Sequence, residues 1–231
     1  MELLNLNSLG KLEEAEFIKR INRFLGKILI NGQEKSCYIA DTGRLEEILT
    51  KGRKILVIKN RKGLKTDYTL ITAKMGDELV LINTALHSSI AYSAIKQGVL
   101  GFVPKIIKKE VKYKNSRFDY FLDNKTFVEL KGCNLVKGDT CLFPNAPTIR
   151  GTKHLKELIL AKKEGYNSII LIMVVRDCKY FLPNSEMDKK FSDMFYNALK
   201  CGVEFKSFKI RIDENSKKIY LSSTMPLKSV S

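Results

Sequence analysis

With only two histidines and five cysteines among 231 residues, the chain offers little for the common zinc and thiol chemistries. The cysteines (Cys37, Cys133, Cys141, Cys178 and Cys201) are odd in number, scattered and never spaced as CxxC, so neither a disulfide framework nor a zinc site is expected. His87 and His154 lie far apart, lack cysteine neighbours at ligand spacing and sit in no recognisable triad. Glycine-rich phosphate loops and a GxSxG elbow are missing as well. Long apolar runs are also lacking: SIILIMVV, residues 168–175, is the longest and falls well short of the ~18 residues of a spanning helix. The N-terminal MELLNLNSLGKLEEAE carries no basic-then-apolar leader, so the expected location is the cytoplasm. A basic amphipathic helix is absent too, which argues against a membrane partner.

Acidic residues are scarce relative to basic ones. Forty-one Lys and Arg against 25 Asp and Glu give a net charge of +16, a field that favours polyanions. Residues 1–82 hold 15 basic and 11 acidic side chains, leaving 26 and 14 for residues 83–231, so most of the excess lies in the second part. A lysine-rich surface that serves only solubility is the competing explanation. The 44% apolar content is that of a folded protein with a real core.

The residue pattern divides the chain in two, at 1–82 and 83–231. From Arg23 to Asn83 five short runs rich in β-branched and aromatic residues (FLGKILIN, EKSCYIA, KILVIK, DYTLITAK, ELVLIN) alternate with turn chemistry (NGQ, DTG, KNRKG, MGD). That spacing predicts a small barrel, of the oligonucleotide-binding (OB) or the SH3-like type. After Asn83 the period becomes helical, with Leu86, Ile90, Ala94 and Ile95 on one face. Three strand-like runs follow (IIKKEVKY, SRFDYFL, TFVELKGC), then a helix over about 150–164, the strand SIILIMVV, a helix over about 186–200 and a final strand. A mixed sheet flanked by helices packs such an order, giving an α/β (α+β) protein overall.

Within RFDYFLDNKTFVELKG, side-chain alternation places Phe118, Tyr120 and Leu122 on one strand face and Asp119 and Phe121 on the other. On the next strand Phe127, Glu129 and Lys131 share a face. If Asp123-Asn124-Lys125 is the loop, pairing is symmetric about Asn124 and Asp119 faces Glu129; a two-residue loop would turn them to opposite faces. Opposed positions bring Cβ atoms to ~4.5–5.5 Å, where like charges repel. Lys131 is one compensator. A divalent cation is the other: Mg²⁺ or Mn²⁺ takes one or two carboxylates plus waters and phosphate oxygens, polarises phosphate and lowers the pKa of an attacking water, while a lysine orients that water. A surface hairpin with an ordinary Asp-Glu-Lys cluster is the alternative.

FIKRINRFLGKILING, CYIADTGRLEEIL, LINTALHSSIAYSAI, EVKYKNSRFDYFLDN, FVELKGCNLV, FPNAPTIRGTKHLKEL and CGVEF, in order over nearly the whole chain, resemble the sugar fermentation stimulation protein A (SfsA) family. The resemblance implies an N-terminal OB-fold joined to a C-terminal domain of the PD-(D/E)xK nuclease fold, and a DNA-binding protein. It implies Asp119 and Glu129 as metal ligands and Lys131 as the lysine of ExK. The chain departs from the family at Ala40 and Asp41 before the TG turn, at Ser93 where a glutamate is usual, at Asn145 and at Thr152. Ser93 removes a carboxylate that would support a second metal, so binding is a safer inference than cleavage. A regulator of sugar-metabolism genes that keeps the fold without catalysis is the rival reading, and an RNA-processing factor a third. The partner is therefore DNA or RNA, and a dimer is compatible with the sequence.

Further cations join the expected site. Lys19, Arg20 and Arg23 stand beside Phe17, Phe24 and Leu25, a mixture suited to a phosphate-contacting barrel edge or simply to an exposed basic strand. Arg44, after the glycine of DTGR, contacts phosphate or pairs with Glu47. In RGTKHLKEL, Arg150, Lys153, His154 and Glu157 share one helical face while Leu155, Leu158 and Ile159 face inward. In the implied fold that face lies beside the hairpin, so Arg150, Lys153 and His154 are expected to contact phosphate. KIIKKEVKYKNSR, with six basic residues and one acid, draws a phosphate backbone towards the acidic pair; its Tyr113 stacks on a base or packs inward.

Overall fold

The structure is a computed structural model, described over residues 1–229. The chain forms two compact units: Met1–His87 together with Arg211–Leu221, and Ser88–Ile210 together with the chain from Ser222 onward.

In the first unit the strands are β1 (Glu2–Asn5), β2 (Leu12–Arg20), β3 (Leu25–Ile30), β4 (Gln33–Tyr38), β5 (Lys54–Lys59), β6 (Tyr68–Met75) and β7 (Glu78–Leu81). All but β1 run in the order β4-β3-β2-β5-β6-β7, and a parallel pairing of β4 with β6 closes β2 to β6 into a five-stranded barrel of the OB type. The expected fifth barrel strand, ELVLIN, is β7, which extends the sheet beyond the closure; the place inside is taken by β2. LEEAEFIKR conceals a strand because three glutamates dominate it, yet Ala15 and Phe17 point inward while Glu14, Glu16 and Lys19 face solvent. Asn31 and Gly32, both at positive φ, make the tight two-residue turn between β3 and β4. Gly26 is required by close approach, since a Cβ there would meet Ile39 and Phe17 side chains at 3.0 and 3.1 Å.

The second unit contains α1 (His87–Lys96), β8 (Ile107–Tyr113), β9 (Ser116–Leu122), β10 (Thr126–Cys133), β11 (Leu135–Lys137), β12 (Thr140–Phe143), α2 (Ile149–Lys163), β13 (Asn167–Val174), β14 (Tyr180–Pro183), α3 (Lys189–Lys200), most of β15 (Glu204–Ile212) and the end of β16 (Lys218–Thr224). Here the main sheet runs β15-β13-β10-β9-β8, parallel across β15-β13-β10 and antiparallel across β10-β9-β8. The expected mixed sheet flanked by helices is what forms. One face of it packs α2 and α3 through Leu155, Leu158, Phe191 and Phe195 against Ile170, Ile172 and Phe127. Asp188 joins the starts of the two helices: one carboxylate oxygen caps α3 at Phe191 N (2.9 Å), the other accepts from Thr148 N (2.8 Å), and Thr148 in turn caps α2. The end of β16 belongs to this unit, while its start pairs with β1 in the first.

The structure also contains a small sheet, β11-β12-β14, that the sequence reading lacks. Its strands are only three or four residues long, too short for a periodic signal. A disulfide joins Cys141 on β12 to Cys178 ahead of β14, with Cα atoms 5.9 Å apart, where the sequence suggests no disulfide framework. The pairing of β12 with β14 creates it, and a separation of 37 residues leaves no spacing motif to read. Among the described residues no helix is long and apolar enough to cross a membrane.

Candidate functional site

The β9–β10 hairpin turns as the three-residue loop demands: Leu122 pairs with Thr126, Phe121 with Phe127 and Tyr120 with Val128. Asp123 and Asn124 both take positive φ, which Asp and Asn tolerate better than other side chains, and Lys125 N donates to Leu122 O at 2.9 Å. The same register carries Asp119 opposite Glu129. The ladder stops one residue short of them, and Asp119 Oδ2 accepts instead from the backbone N–H of Leu130 at 2.7 Å. A side-chain carboxylate thus replaces a backbone acceptor.

Strict alternation fails at that point, a correction to the expected faces. Phe118 does not share a face with Tyr120: it packs on Phe127, ring centroids 5.2 Å apart, and near His154, whereas the Tyr120 hydroxyl reaches Ser88 on α1. On the neighbouring strand, pairs Lys109–Tyr120 and Val111–Phe118 bracket Glu110 against Asp119, and Glu110 adopts a positive φ of 53°. The irregularity therefore crosses two strands and puts a third carboxyl group, to which the sequence reading assigns no role, across from Asp119.

Glu129 is 2% exposed. Its Oε1 accepts from both Lys131 Nζ and His154 Nδ1, while its Oε2 is buried with no hydrogen-bond partner among the described residues. Burial pushes its carboxyl up, but Lys131 and His154 outweigh burial and hold it below the ordinary glutamate range. For Asp119 the balance is reversed. Burial, then the charge on Glu129, push its pKa from 3.8 to about 6, against the opposing pull of the Leu130 N–H and Lys131; Glu110 adds to the rise.

Helix α2 supplies the other half of the site. His154 is buried, and its Nε2 lies 3.4 Å from Arg150 Nε. Arg150 can only donate, so Nε2 accepts and Nδ1 carries the proton given to Glu129. The expected phosphate contacts therefore divide. Arg150 is exposed at the helix start, but His154 is a buried partner of Glu129, and Lys153 Nζ donates to Asn115 O at 2.6 Å. Glu157 is buried too, with Oε2 unpartnered among the described residues, so the polar face of α2 is divided: His154 and Glu157 are covered while Arg150 and Lys153 are exposed. Tyr113 packs: it stacks with Phe118 and donates to Glu164 Oε2 at 2.7 Å. Ser93 Oγ turns back to Ser89 O (3.2 Å), Asn145 donates to Asn134 (2.8 Å) and Thr152 bonds Thr148 O (3.3 Å). Among the described residues no group of three or more His, Cys, Asp or Glu side chains gathers as a metal cage.

In the barrel, Arg20 is a correction. All five of its N–H groups go to backbone carbonyls, of Asn22, Gly43, Arg44, Arg23 and Asp41, leaving none for phosphate. Burial lowers its pKa, with Asp41 opposing. Lys19, Arg23 and Arg44 are exposed. Asp41, whose acid stood where nucleic acid was expected, is 8% exposed and accepts from Gly43 N at 2.7 Å, so its charge faces inward.

An OB-type barrel joined to a nuclease-like mixed sheet, with an acid-acid-lysine hairpin buried against a helix, defines a class of two-part α/β proteins. Family comparison makes that class specific. Residues 18–82 match the SfsA N-terminal OB domain and residues 85–216 the sugar fermentation stimulation protein RE domain, so the chain belongs to the sugar fermentation stimulation protein family. It is 44% identical over 195 residues to the sugar fermentation stimulation protein homolog of Saccharolobus solfataricus, covering 84% of this chain and 77% of that one. To the homolog of Thermosipho melanesiensis it is 37% identical over 214 residues, covering 92% and 94%. The solved structure of Pyrococcus furiosus SfsA in complex with Ca²⁺ superposes with a TM-score of 0.89 at 27% identity, over 99% of this chain and all of that one.

Proposed function

We propose that the protein binds nucleic acid, DNA or RNA, in the cytoplasm and hydrolyses its phosphodiester bonds at the Asp119–Glu129–Lys131 site with a bound Mg²⁺ or Mn²⁺. One observation carries the reading: Glu129 has one oxygen saturated by two donors and the other buried and unpartnered, beside an Asp119 carboxyl whose pKa is pushed to about 6. Two acids held together at that cost fit a cation better than they fit each other. Mg²⁺ and Mn²⁺ need only one or two carboxylates, with water and phosphate oxygens completing the shell, so two protein ligands suffice. The relative from Pyrococcus furiosus is described with Ca²⁺, another cation that takes oxygen ligands.

Asp119 and Glu129 would hold the metal, which when bound supplies Lewis acidity towards phosphate and a bound water of lowered pKa. The protein's own groups set the stage. His154, its tautomer set by Arg150, fixes the rotamer of Glu129 by donating to Oε1. Lys131 neutralises the same oxygen and keeps some exposure, so its ammonium can orient a water or meet negative charge developing on phosphate. Arg150, exposed beside His154, receives the phosphate backbone.

A non-catalytic DNA-binding regulator is the second reading. It is favoured by Ser93, whose hydroxyl is turned back onto its own helix where a carboxylate would assist a second metal. One experiment separates the two. Purified protein is incubated with single- and double-stranded DNA and RNA, in Mn²⁺ or in EDTA. The hydrolytic reading expects Mn²⁺-dependent products that fall at least ~100-fold in the Asp119→Ala, Glu129→Ala double variant. Products that persist in that variant place the chemistry elsewhere, and binding without products supports the regulator.

A further inference from the structure

The barrel presents an aromatic surface that the hydrolytic site does not use. Phe24, immediately before β3, and Tyr38, the last residue of β4, are 46% and 39% exposed. Their rings lie near-parallel, 19° apart in plane with centroids at 6.4 Å. Large aromatic side chains are usually more deeply buried than this, and here two neighbours each leave about two-fifths of their surface in water.

The surroundings hold this pair still. Asn22 Oδ1 accepts from the backbone N–H groups of Phe24 (2.9 Å) and Leu25 (3.0 Å), and Ile21 N donates to Leu25 O (2.8 Å), which closes a tight turn under Phe24. Ile39 N donates to Phe24 O at 2.9 Å, and Tyr38 lies on the seam where β4 pairs with β6 to close the barrel. Arg20 binds this turn to the 41–44 loop, taking the carbonyls of Arg23 and Arg44 on one guanidinium. Two exposed arginines are thereby gathered beside two exposed rings, while Asp41, the nearby acid, is turned inward.

We propose that Phe24 and Tyr38 form a stacking platform for unpaired bases, flanked by Arg23 and Arg44 as phosphate contacts, so that the barrel selects single-stranded over double-stranded nucleic acid. Bases within a duplex are stacked on one another and cannot offer their faces to a protein ring, whereas those of a single strand can. The platform reads no base edge, so the preference is for strandedness rather than sequence. This inference rests on the nucleic-acid-binding reading and narrows it to a substrate class.

The test is fluorescence anisotropy in EDTA, with labelled oligonucleotides of dT, of U and of a mixed-sequence duplex, matched in length, titrated with full-length protein. Wild type is expected to bind the single strands more tightly than the duplex. Phe24→Ala and Tyr38→Ala are each expected to weaken single-strand binding about tenfold, with duplex binding changed less than about twofold. Arg23→Ala is expected to reduce the salt slope by about 0.7 on single strands. Comparing the dT and U arms tells DNA from RNA as the ligand. Because the chain has no tryptophan, the Phe24→Trp variant carries a unique fluorophore, and its emission should be quenched on adding oligo(dT). Equal losses on duplex and single strand, or alanine variants that bind as wild type while the Phe24→Trp emission stays unquenched, overturn the platform alone. If wild type binds none of the three ligands, the nucleic-acid-binding reading fails with it.

Discussion

The two units treat a charge drawn out of water in opposite ways, Arg20 being half-buried and Glu129 buried. In the barrel, Arg20 has five donors and meets five carbonyls, so its charge is fully employed in holding two loops together. In the mixed sheet, Glu129 receives two donors on one oxygen and none on the other, next to a second acid that would be neutral at mildly acidic pH. A completely satisfied ion is a structural device; a partly satisfied buried one, with a perturbed neighbour, is a candidate functional group. The same contrast separates Arg20 from Arg23 and Arg44, which leave their side chains exposed.

The largest expected effect sharpens the comparison from the side of covalent structure, since the disulfide Cys141–Cys178 lies in the second unit. Opening it releases a loop of 37 residues, which costs about 4 kcal/mol in the loop-entropy account. Cys141→Ser plus Cys178→Ser, or reduction of the wild type, should lower the unfolding free energy in denaturant titration by that order. An unchanged midpoint would show that the link carries no stability. Next is Arg20→Ala, which leaves five carbonyls without their donor and should cost about 3 kcal/mol. Arg20→Lys should restore little of it, because an ammonium cannot reach five acceptors in a planar fork. If Arg20→Ala unfolds like wild type, the clamp is not structural and the contrast with Glu129 breaks.

The smallest effect concerns pH. An Asp119 carboxyl raised from 3.8 to about 6 holds its proton in the folded state through a window where the unfolded chain has released it. Stability is therefore favoured at low pH and lost as pH rises from about 4 to 6, by up to about 3 kcal/mol at roughly 1.4 kcal/mol per pH unit. Asp119→Asn, which keeps an acceptor for Leu130 N–H, should stabilise the metal-free protein by about 2 kcal/mol at about pH 7.5 and by nothing measurable at about pH 3.5. Thermal unfolding of both proteins in EDTA at the two pH values checks this; a gain that does not depend on pH would mean that burial of the charge is not the cause.

Much of this is legible in the sequence. A three-residue DNK loop implies a register symmetric about Asn124, and the structure chooses it over a two-residue loop, with Asp123 and Asn124 in the left-handed backbone that Asp and Asn accept. Periodicity located the three helices and strands β8, β9, β10 and β13 of the main sheet, and only one final strand where β15 and β16 form. Strand β2 escaped because its glutamates mask an alternation that only burial reveals, and β11, β12 and β14 because they are too short to show a period. Within the site, Asp119, Glu129 and Lys131 were readable from strand spacing, but the roles of the cations were not. Charge alone does not distinguish a guanidinium that faces solvent from one that faces five carbonyls, or a histidine that awaits phosphate from one that holds a glutamate.

By itself, the sequence determined the local matters: most of the strands and helices, where the hairpin turns, and that two acids stand across from each other if its loop has three residues. Those follow from backbone sterics and side-chain periodicity, which act over a few residues. Only the tertiary structure decided that His154 and Lys131 share one oxygen of Glu129, that Arg20 is a clamp, that Cys141 meets Cys178 and that residues 211–221 belong with the barrel. Each of these joins residues far apart along the chain, or turns on which way a side chain faces, and so depends on how complete elements pack.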